Sequence, residues 1–112
     1  MNIIIKPRKE IDLPSIEDSI RLAFAEHEKI IFTFDLTETT VFNFQSLLKI
    51  LPLLKKFEND IQEKLEKSYI ILRQQWKKAL LIMFFSYYQP KKPVVFIKNQ
   101  TQNQGFNSNV LL

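Results

Sequence analysis

Few residues of this chain have side chains that could act as a catalytic acid, base or nucleophile at a recognisable spacing. The sequence contains one histidine, His27, and no cysteine. Thiolate nucleophiles, disulfides and cysteine-containing zinc sites are therefore excluded. A serine–histidine–acid triad would have to use His27, which falls at helical spacing on the apolar face of an amphipathic segment and is better explained as a structural residue.

Loops that bind phosphate groups need glycines, because the backbone amides must approach the oxygens closely. The two predicted strand-to-helix turns, 37–43 and 73–75, contain no glycine. The acidic residues of the stretch 58–66 alternate with lysines as on a solvated helix face, and they lack the spacing of a calcium loop. We therefore predict a protein that is not an enzyme and that holds no metal ion and no cofactor.

The net charge of +4 comes from sixteen Lys and Arg residues against twelve Asp and Glu residues. The basic residues include scattered doublets, such as Lys77-Lys78 and Lys91-Lys92, and form no stripe with aromatic platforms between them. This pattern is typical of dispersed solubilising charge, and it disfavours nucleic acid as a partner. Because some doublets lie beside aromatic residues, a nucleic-acid or membrane-surface binder is kept as a second alternative.

With 112 residues, of which 46% are hydrophobic and 25% charged, the chain has the size and composition of one globular domain. The sequence has no run of about 18 apolar residues, and no signal-like segment follows Met1. These features predict a protein of the cytoplasm and disfavour a membrane as its partner.

Apolar periodicity predicts alternating strands and helices, in the order β-α-β-α-β-α-β. The predicted strands cover residues 2–6, 29–36, 68–73 and 93–98, and the predicted helices cover 15–27, 44–67 with a kink at Pro52, and 75–88. Ser15 and Asp18 form a capping-box-like pair at the start of the first helix. The alternation predicts an α/β fold with about four helices and a mostly parallel or mixed sheet of four to five strands, in which the strand 29–36 is central.

The chain ends in a segment of different composition. Residues 99–112 (NQTQNQGFNSNVLL) have no charged side chain and are rich in Asn and Gln. We expect a flexible polar C-terminal tail after an α/β domain of residues 1–98.

The predicted helix 75–88 is apolar on nearly all sides. One face, which we expect to be buried, carries Trp76, Ala79, Leu80, Met83, Phe84 and Tyr87. A second stripe consists of Leu81, Phe85 and Tyr88, spaced i, i+4 and i+7. Either the second helix and the tail cover this stripe, or it is exposed and docks a partner or a second copy. The second case predicts a self-associating structural or scaffold protein, such as a homodimer.

Residues 35–48 (DLTETTVFNFQSLL) resemble a strand-loop-helix pattern of the STAS domain, the fold of the anti-sigma-factor antagonists. That pattern is Asp-Leu-Ser-x-Val-x-Phe-Ile-Asp-Ser-Ser-Gly-Leu-Gly. Asp35 and Leu36 match its first two residues, and Thr37 stands at its first serine. Upstream, the segment Glu10-Ile11-Asp12 is similar to the Glu-Leu-Asp that precedes the first helix of the family. The predicted order of elements extends the resemblance to about residues 2–98.

The chain departs from the family where the regulatory branch carries its phosphate. Phe44 and Gln45 stand at the paired serines, and Ser46 stands at the following glycine. Gln45 cannot be phosphorylated, and Ser46 lies about 100° further around the helix. The resemblance therefore implies a non-catalytic regulatory module that binds another protein, kinase-like or sigma-regulator-like, without the serine switch.

The resemblance places the binding surface on the loop after the strand 29–36. In open α/β sheets, ligands also bind beyond the carboxyl ends of the strands. The predicted partner-binding residues are Thr37, Thr39, Thr40, Asn43, Phe44, Gln45, Ser46 and Arg73. We expect Phe42 to be buried, which leaves Phe44 as the better aromatic anchor.

Overall fold

A computed structural model describes residues 1–99 and 109–111. Over this part of the chain, five strands form one sheet in the order β1-β2-β3-β4-β5. They are β1 (Asn2–Ile5), β2 (Ile30–Asp35), β3 (Leu65–Leu72), β4 (Val94–Asn99) and β5 (Asn109–Leu111). The first four strands are parallel, and β5 pairs antiparallel with β4. The predicted α/β class and mixed sheet are confirmed.

Two predictions about the strands need correction. The central strand is β3, because β2 lies between the edge strand β1 and β3. Strand β3 begins at Leu65, earlier than predicted, since Leu65 pairs with Ile30 across a shift in register. Of the predicted tail, Asn109–Leu111 form β5, and residues 100–108 and 112 lie outside the described residues.

The described residues form five helices between these strands. They are α1 (Leu13–Glu26), α2 (Phe44–Leu48), α3 (Leu51–Lys56), α4 (Glu58–Lys64) and α5 (Gln75–Phe85). The prediction of a cap at Ser15 is wrong: Asp12 caps α1, and its carboxylate accepts a hydrogen bond from the amide of Ser15 at 3.4 Å. Pro52 lies in the first turn of α3, where a helix tolerates its missing N–H, so the predicted kink is a break between α2 and α3.

The core lies on one face of the sheet. Each parallel strand pairs with the next strand in the chain, and connections of this kind are right-handed, so their helices lie on the same side of the sheet. One cluster packs α1, α3 and α4 against β1 and β2, and a second packs α2 and α5 against β3 and β4. Within the first cluster, Phe24 of α1 meets Phe32 of β2 edge-on, with ring centroids 5.5 Å apart. None of the helices in the described part of the chain is both long and apolar enough to cross a membrane.

The opposite side of the sheet, here called the open face, belongs to neither core cluster. Register places Ile4, Thr33, Tyr69 and Val95 in one row across it. Its apolar members are Ile4, Ile31, Tyr69, Ile71, Val95 and Ile97. Ile4 is 65% exposed. Parallel sheets are usually covered on both faces. Among the described residues, Ile4 of this face is exposed, its other apolar members are half-buried and Thr33 is buried.

Helix α5 is rotated relative to the prediction. The residues expected inside include Trp76, Ala79, Met83 and Tyr87, and all four are exposed. Lys77, Leu81 and Phe84 point inward. The second stripe is therefore not a free surface, because Leu81 is buried and Phe85 and Tyr88 pack on the same core. The alternative in which this stripe is exposed is wrong for Leu81, and self-association through the stripe stays a prediction. A helix that is apolar on all sides has no period that selects its inner face.

The orientation of α5 predicts different costs for two neighbouring residues. Leu81→Ala should lower the free energy of unfolding by about 2–5 kcal/mol, because it opens a cavity in the second core cluster. The matched variant Ile82→Ala, at an exposed position, should change it by no more than about 0.5 kcal/mol. Urea unfolding followed by circular dichroism measures both, and equal costs would contradict the orientation described above.

Candidate functional site

The predicted binding loop lies at the carboxyl edge of the sheet. Residues 36–43, here called the edge loop, connect β2 to α2, and residues 73–74 connect β3 to α5 beside it. Both connections follow the carboxyl ends of neighbouring parallel strands. The sequence therefore folds the residues around Thr37 and Arg73 toward one edge, as predicted from the order of elements.

The segment after β1 holds the edge loop from the side. The amide of Lys9 donates to the carbonyl of Glu38 at 3.0 Å, and the amides of Thr40 and Val41 donate to the carbonyl of Lys9 at 2.9 and 2.6 Å. The hydroxyl of Thr39 donates to the carbonyl of Pro7 at 2.7 Å. Lys9 has a φ of 64°, a conformation that costs a residue with a Cβ about 1–2 kcal/mol. These bonds hold that strained residue in place.

Lys77 of α5 holds the edge loop from below. Its ammonium group donates to the carbonyls of Leu36 and Thr39 at 3.0 and 2.6 Å, and the residue is only 2% exposed. Its Nζ also lies 5.7 Å from the centroids of the Phe42 and Trp76 rings. Within residues 1–99 and 109–111, no carboxylate forms an ion pair with this amine. Burial, with a smaller contribution from the positive charge of Arg73, lowers the pKa of Lys77.

A group of charged side chains lies beside the loop. Lys6 forms ion pairs with Glu38 at 2.9 Å and with Asp35 at 3.8 Å, and Arg8 approaches Glu38 at 3.6 Å. The hydrogen bond from Lys6 lowers the pKa of Glu38 and raises the pKa of Lys6. The other oxygen of Asp35 accepts from the amide and the hydroxyl of Thr37 at 3.0 and 2.6 Å. Since Lys6 and Glu38 are solvated, their pair adds orientation more than stability.

The first turn of α2 is fixed by a capping box. The side chain of Asn43 accepts from the amide of Ser46 at 2.8 Å, and the amide of Asn43 donates to the Ser46 hydroxyl at 3.2 Å. Two aromatic contacts flank this turn. Phe42 meets Trp76 with ring centroids 5.8 Å apart, and Phe44 meets Tyr87 at 5.4 Å. The start of α2 is therefore packed against α5.

The predicted partner-binding residues fall into three groups by exposure. Thr40, Asn43, Gln45 and Arg73 are exposed. Thr37, Phe44 and Ser46 are half-buried, and Phe42 is buried as expected. Thr39 is fully buried, so the prediction that it contacts a partner is wrong: its hydroxyl and carbonyl both hold the loop in place.

Sequence reasoning missed three residues of this edge. Val41 is 43% exposed and Trp76 is 48% exposed, and Lys77 lies beneath them. The only signal for Lys77 was its place two positions before the fully apolar run that begins at Ala79, and this place also fits a surface residue. The arrangement holds apolar and uncharged polar side chains in one fixed patch. Among the described residues, no group of three or more His, Asp or Glu side chains could hold a metal ion.

Comparison with known proteins adds nothing to this geometry: no family model, curated protein or solved structure matches the chain.

The buried amine predicts a pH dependence. Lys77→Met leaves the carbonyls of Leu36 and Thr39 without their donor and should lower the free energy of unfolding by about 1–3 kcal/mol at pH 7. The pKa of Lys77 in the unfolded state is near 10.5, and its pKa in the folded state is lower. As pH rises between these two pKa values, the folded state loses the Lys77 proton while the unfolded state keeps it. In that window, wild type should gain stability relative to Lys77→Met.

The measurement is urea unfolding of wild type, Lys77→Met and the exposed control Lys55→Met from pH 7 to pH 10.5. Lys55→Met should follow wild type at every pH. A wild-type advantage over Lys77→Met that stays constant or shrinks with rising pH would contradict the burial of an unpaired amine.

Proposed function

We propose that this chain is a non-catalytic protein-interaction module of the cytoplasm, with its binding surface at the carboxyl edge of the sheet. The surface consists of Thr40, Val41, Asn43, Gln45 and Trp76, with Arg73 at its margin. All six side chains are exposed and lie on the edge loop or on the adjoining starts of α2 and α5.

The observation that carries this proposal is the fixation of the edge loop from two sides. Backbone bonds to Lys9 hold one side, and the buried amine of Lys77 holds the other. Ordering a loop upon binding reduces affinity, whereas a loop that is already ordered avoids that cost. Residues that serve only to connect β2 with α2 have no need of a buried lysine and a left-handed Lys9.

The composition of the surface supports a protein partner. Trp76 is exposed and its ring meets Phe42, the chain neighbour of the exposed Val41, and Thr40, Asn43 and Gln45 contribute exposed uncharged polar groups. Protein interfaces are enriched in aromatic anchors at the centre and depleted there in charge. The charged group of Lys6, Arg8 and Glu38 lies to one side, where its pairs would contribute to orientation.

The resemblance to the STAS domain suggests the class of partner. A sheet whose parallel strands alternate with helices is compatible with that fold. If the resemblance of residues 35–48 holds, the edge loop corresponds to the family's regulatory loop. We propose a regulatory module that binds a kinase-like or sigma-regulator-like protein without the serine switch. The hydroxyl of Ser46 is bonded to the backbone of Asn43 in the capping box. This bonding supports the proposal that Ser46 does not replace the phosphorylated serine of the family.

A capture experiment tests the surface. The immobilised wild-type chain, the double variant Val41→Glu/Gln45→Arg and the matched control Gln62→Arg are each exposed to extract of the native host. Gln62 is exposed on α4, which leads into the amino end of β3. We expect a stoichiometric protein that wild type and Gln62→Arg retain and that the double variant loses at least about tenfold, because a charge is introduced at the centre.

Both Val41→Glu and Gln45→Arg leave the Asn43 cap intact, so circular dichroism should remain native. Equal retention of the captured protein by all three chains, or capture of no stoichiometric protein by wild type, would contradict the proposed surface.

The open face favours a second candidate function, self-association. Six apolar side chains occupy it, and Ile4 is largely exposed. Lys67 lies toward the amino end of this face and Asp35 at its carboxyl end, on neighbouring strands. A second copy related by a two-fold axis across the strands would bring Lys67 of each copy toward Asp35 of the other, which makes the face self-complementary. We therefore propose a homodimer through the open face as the alternative.

Sedimentation equilibrium at micromolar concentration tests the dimer. Wild type and the control Leu22→Lys, which places a charge on an exposed position of α1, should sediment as dimers. Ile4→Lys/Ile97→Lys should sediment as a monomer, because the charges would be buried in the sheet-to-sheet contact. A monomeric wild type would exclude this candidate.

A further inference from the structure

An apolar cavity of about 170 Å³ lies between the sheet and its helices. Both core clusters contribute to its walls, with Phe24, Phe32 and Leu53 from the first and Ile70 and Phe84 from the second. Folded proteins contain few voids larger than a water molecule. A cavity of roughly this size with an apolar lining stays dry and binds benzene in an engineered protein. This space is therefore large enough for a small organic ligand.

One serine of the sheet lines this apolar space. Ser68 of β3 lines the cavity and is only 8% exposed. Its amide is used in the sheet, where it donates to the carbonyl of Pro93 at 2.9 Å. Its hydroxyl forms no hydrogen bond with any described residue. Since no buried side-chain oxygen of the described residues lacks a partner, the unbonded oxygen of Ser68 is reached by solvent, and it can contact a polar atom of a ligand.

The other polar residues of the lining mark the mouth of the cavity. They are Tyr88, Lys91 and Lys92, in the connection from α5 to β4 at the amino edge of the sheet. Lys91 is the one exposed residue among those that line the cavity. It approaches Glu58 at 3.6 Å, and both side chains are more than half exposed, so the pair is weak. Lys92 is half-buried and forms no ion pair with a described residue.

We propose that the cavity binds a hydrophobic monocarboxylic acid of about the size of benzoic or octanoic acid. The apolar body lies between the sheet and the helices, and the carboxylate lies at the mouth against Lys92, with the hydroxyls of Ser68 and Tyr88 as further donors. Net positive charge at the mouth selects an anion, because Lys91 pairs only weakly with Glu58 and Lys92 forms no ion pair with a described residue. This site lies at the edge of the sheet opposite to the edge loop and does not depend on the proposed protein partner.

Titration calorimetry with octanoate and with octanol, at neutral pH, separates the two parts of the site. Octanoate should bind with one molecule per chain, and octanol should bind about tenfold more weakly, since it lacks the charge-assisted contact. Lys92→Gln should lower the affinity for octanoate about tenfold and leave the affinity for octanol unchanged. The matched control Lys49→Gln, at an exposed position between α2 and α3, should leave both affinities unchanged.

Nuclear magnetic resonance locates the ligand in the wild-type chain. The chain protons of octanoate should show nuclear Overhauser contacts with the methyl groups of Leu53, Ile70 and Val94, which line the cavity. Contacts confined to Ile4 and Val95 of the open face would overturn the proposal. So would the absence of octanoate binding, or an equal effect of Lys92→Gln on octanoate and octanol.

Discussion

The buried amine of Lys77 connects helix α5 to the edge loop, and these two elements carry most of the proposed binding surface. It bonds to the carbonyls of Leu36 and Thr39, and this geometry requires the side of α5 that carries Lys77 to face the sheet. Leu81 and Phe84 lie on that same side and complete the second core cluster. Trp76 is then directed outward beside the edge loop. A cation without a carboxylate partner is costly to bury, so the two carbonyls and two aromatic rings around it are needed for its placement.

One-sided packing of the helices explains the remaining features. Neighbouring strands follow one another along the chain, so their crossovers put α1 to α5 on the same face of the sheet. The opposite face is left open with an apolar row that includes Ile4, Tyr69 and Val95. On the packed side, the helices between β2 and β3 are short and broken. Such short helices fill the space above the sheet less completely than one long helix, and the cavity lies between the two clusters that they separate.

The edge loop and the cavity lie toward opposite edges of the sheet yet share a wall. Phe42 lines the cavity, meets the ring of Trp76 on the outer surface and lies over the amine of Lys77. Leu36, whose carbonyl accepts from Lys77, also lines the cavity. Leu36 and Phe42 therefore belong both to the edge loop and to the wall of the cavity.

Local patterns in the sequence determined most of the elements. Apolar periodicity predicted β1, β2, β4 and the helix α1, whose inner face carries Ile16, Ile20, Ala23 and Phe24. The position of the edge loop at the carboxyl ends of the strands followed from the order of elements alone. Each of these inferences depends on residues close together in the chain, whose apolar spacing favours either a helix or a strand.

Tertiary structure alone decided which side chains the elements present. The rotation of α5 had no local signal, because the helix is apolar all around and its inward side depends on carbonyls 38 to 41 residues away in sequence. The burial of Thr39 depends on Pro7, and the early start of β3 depends on Ile30. The packing of all five helices on one face of the sheet, and the cavity beneath them, likewise depend on how the helices that connect the strands pack together. All these outcomes are set by contacts between distant segments, which no local pattern records.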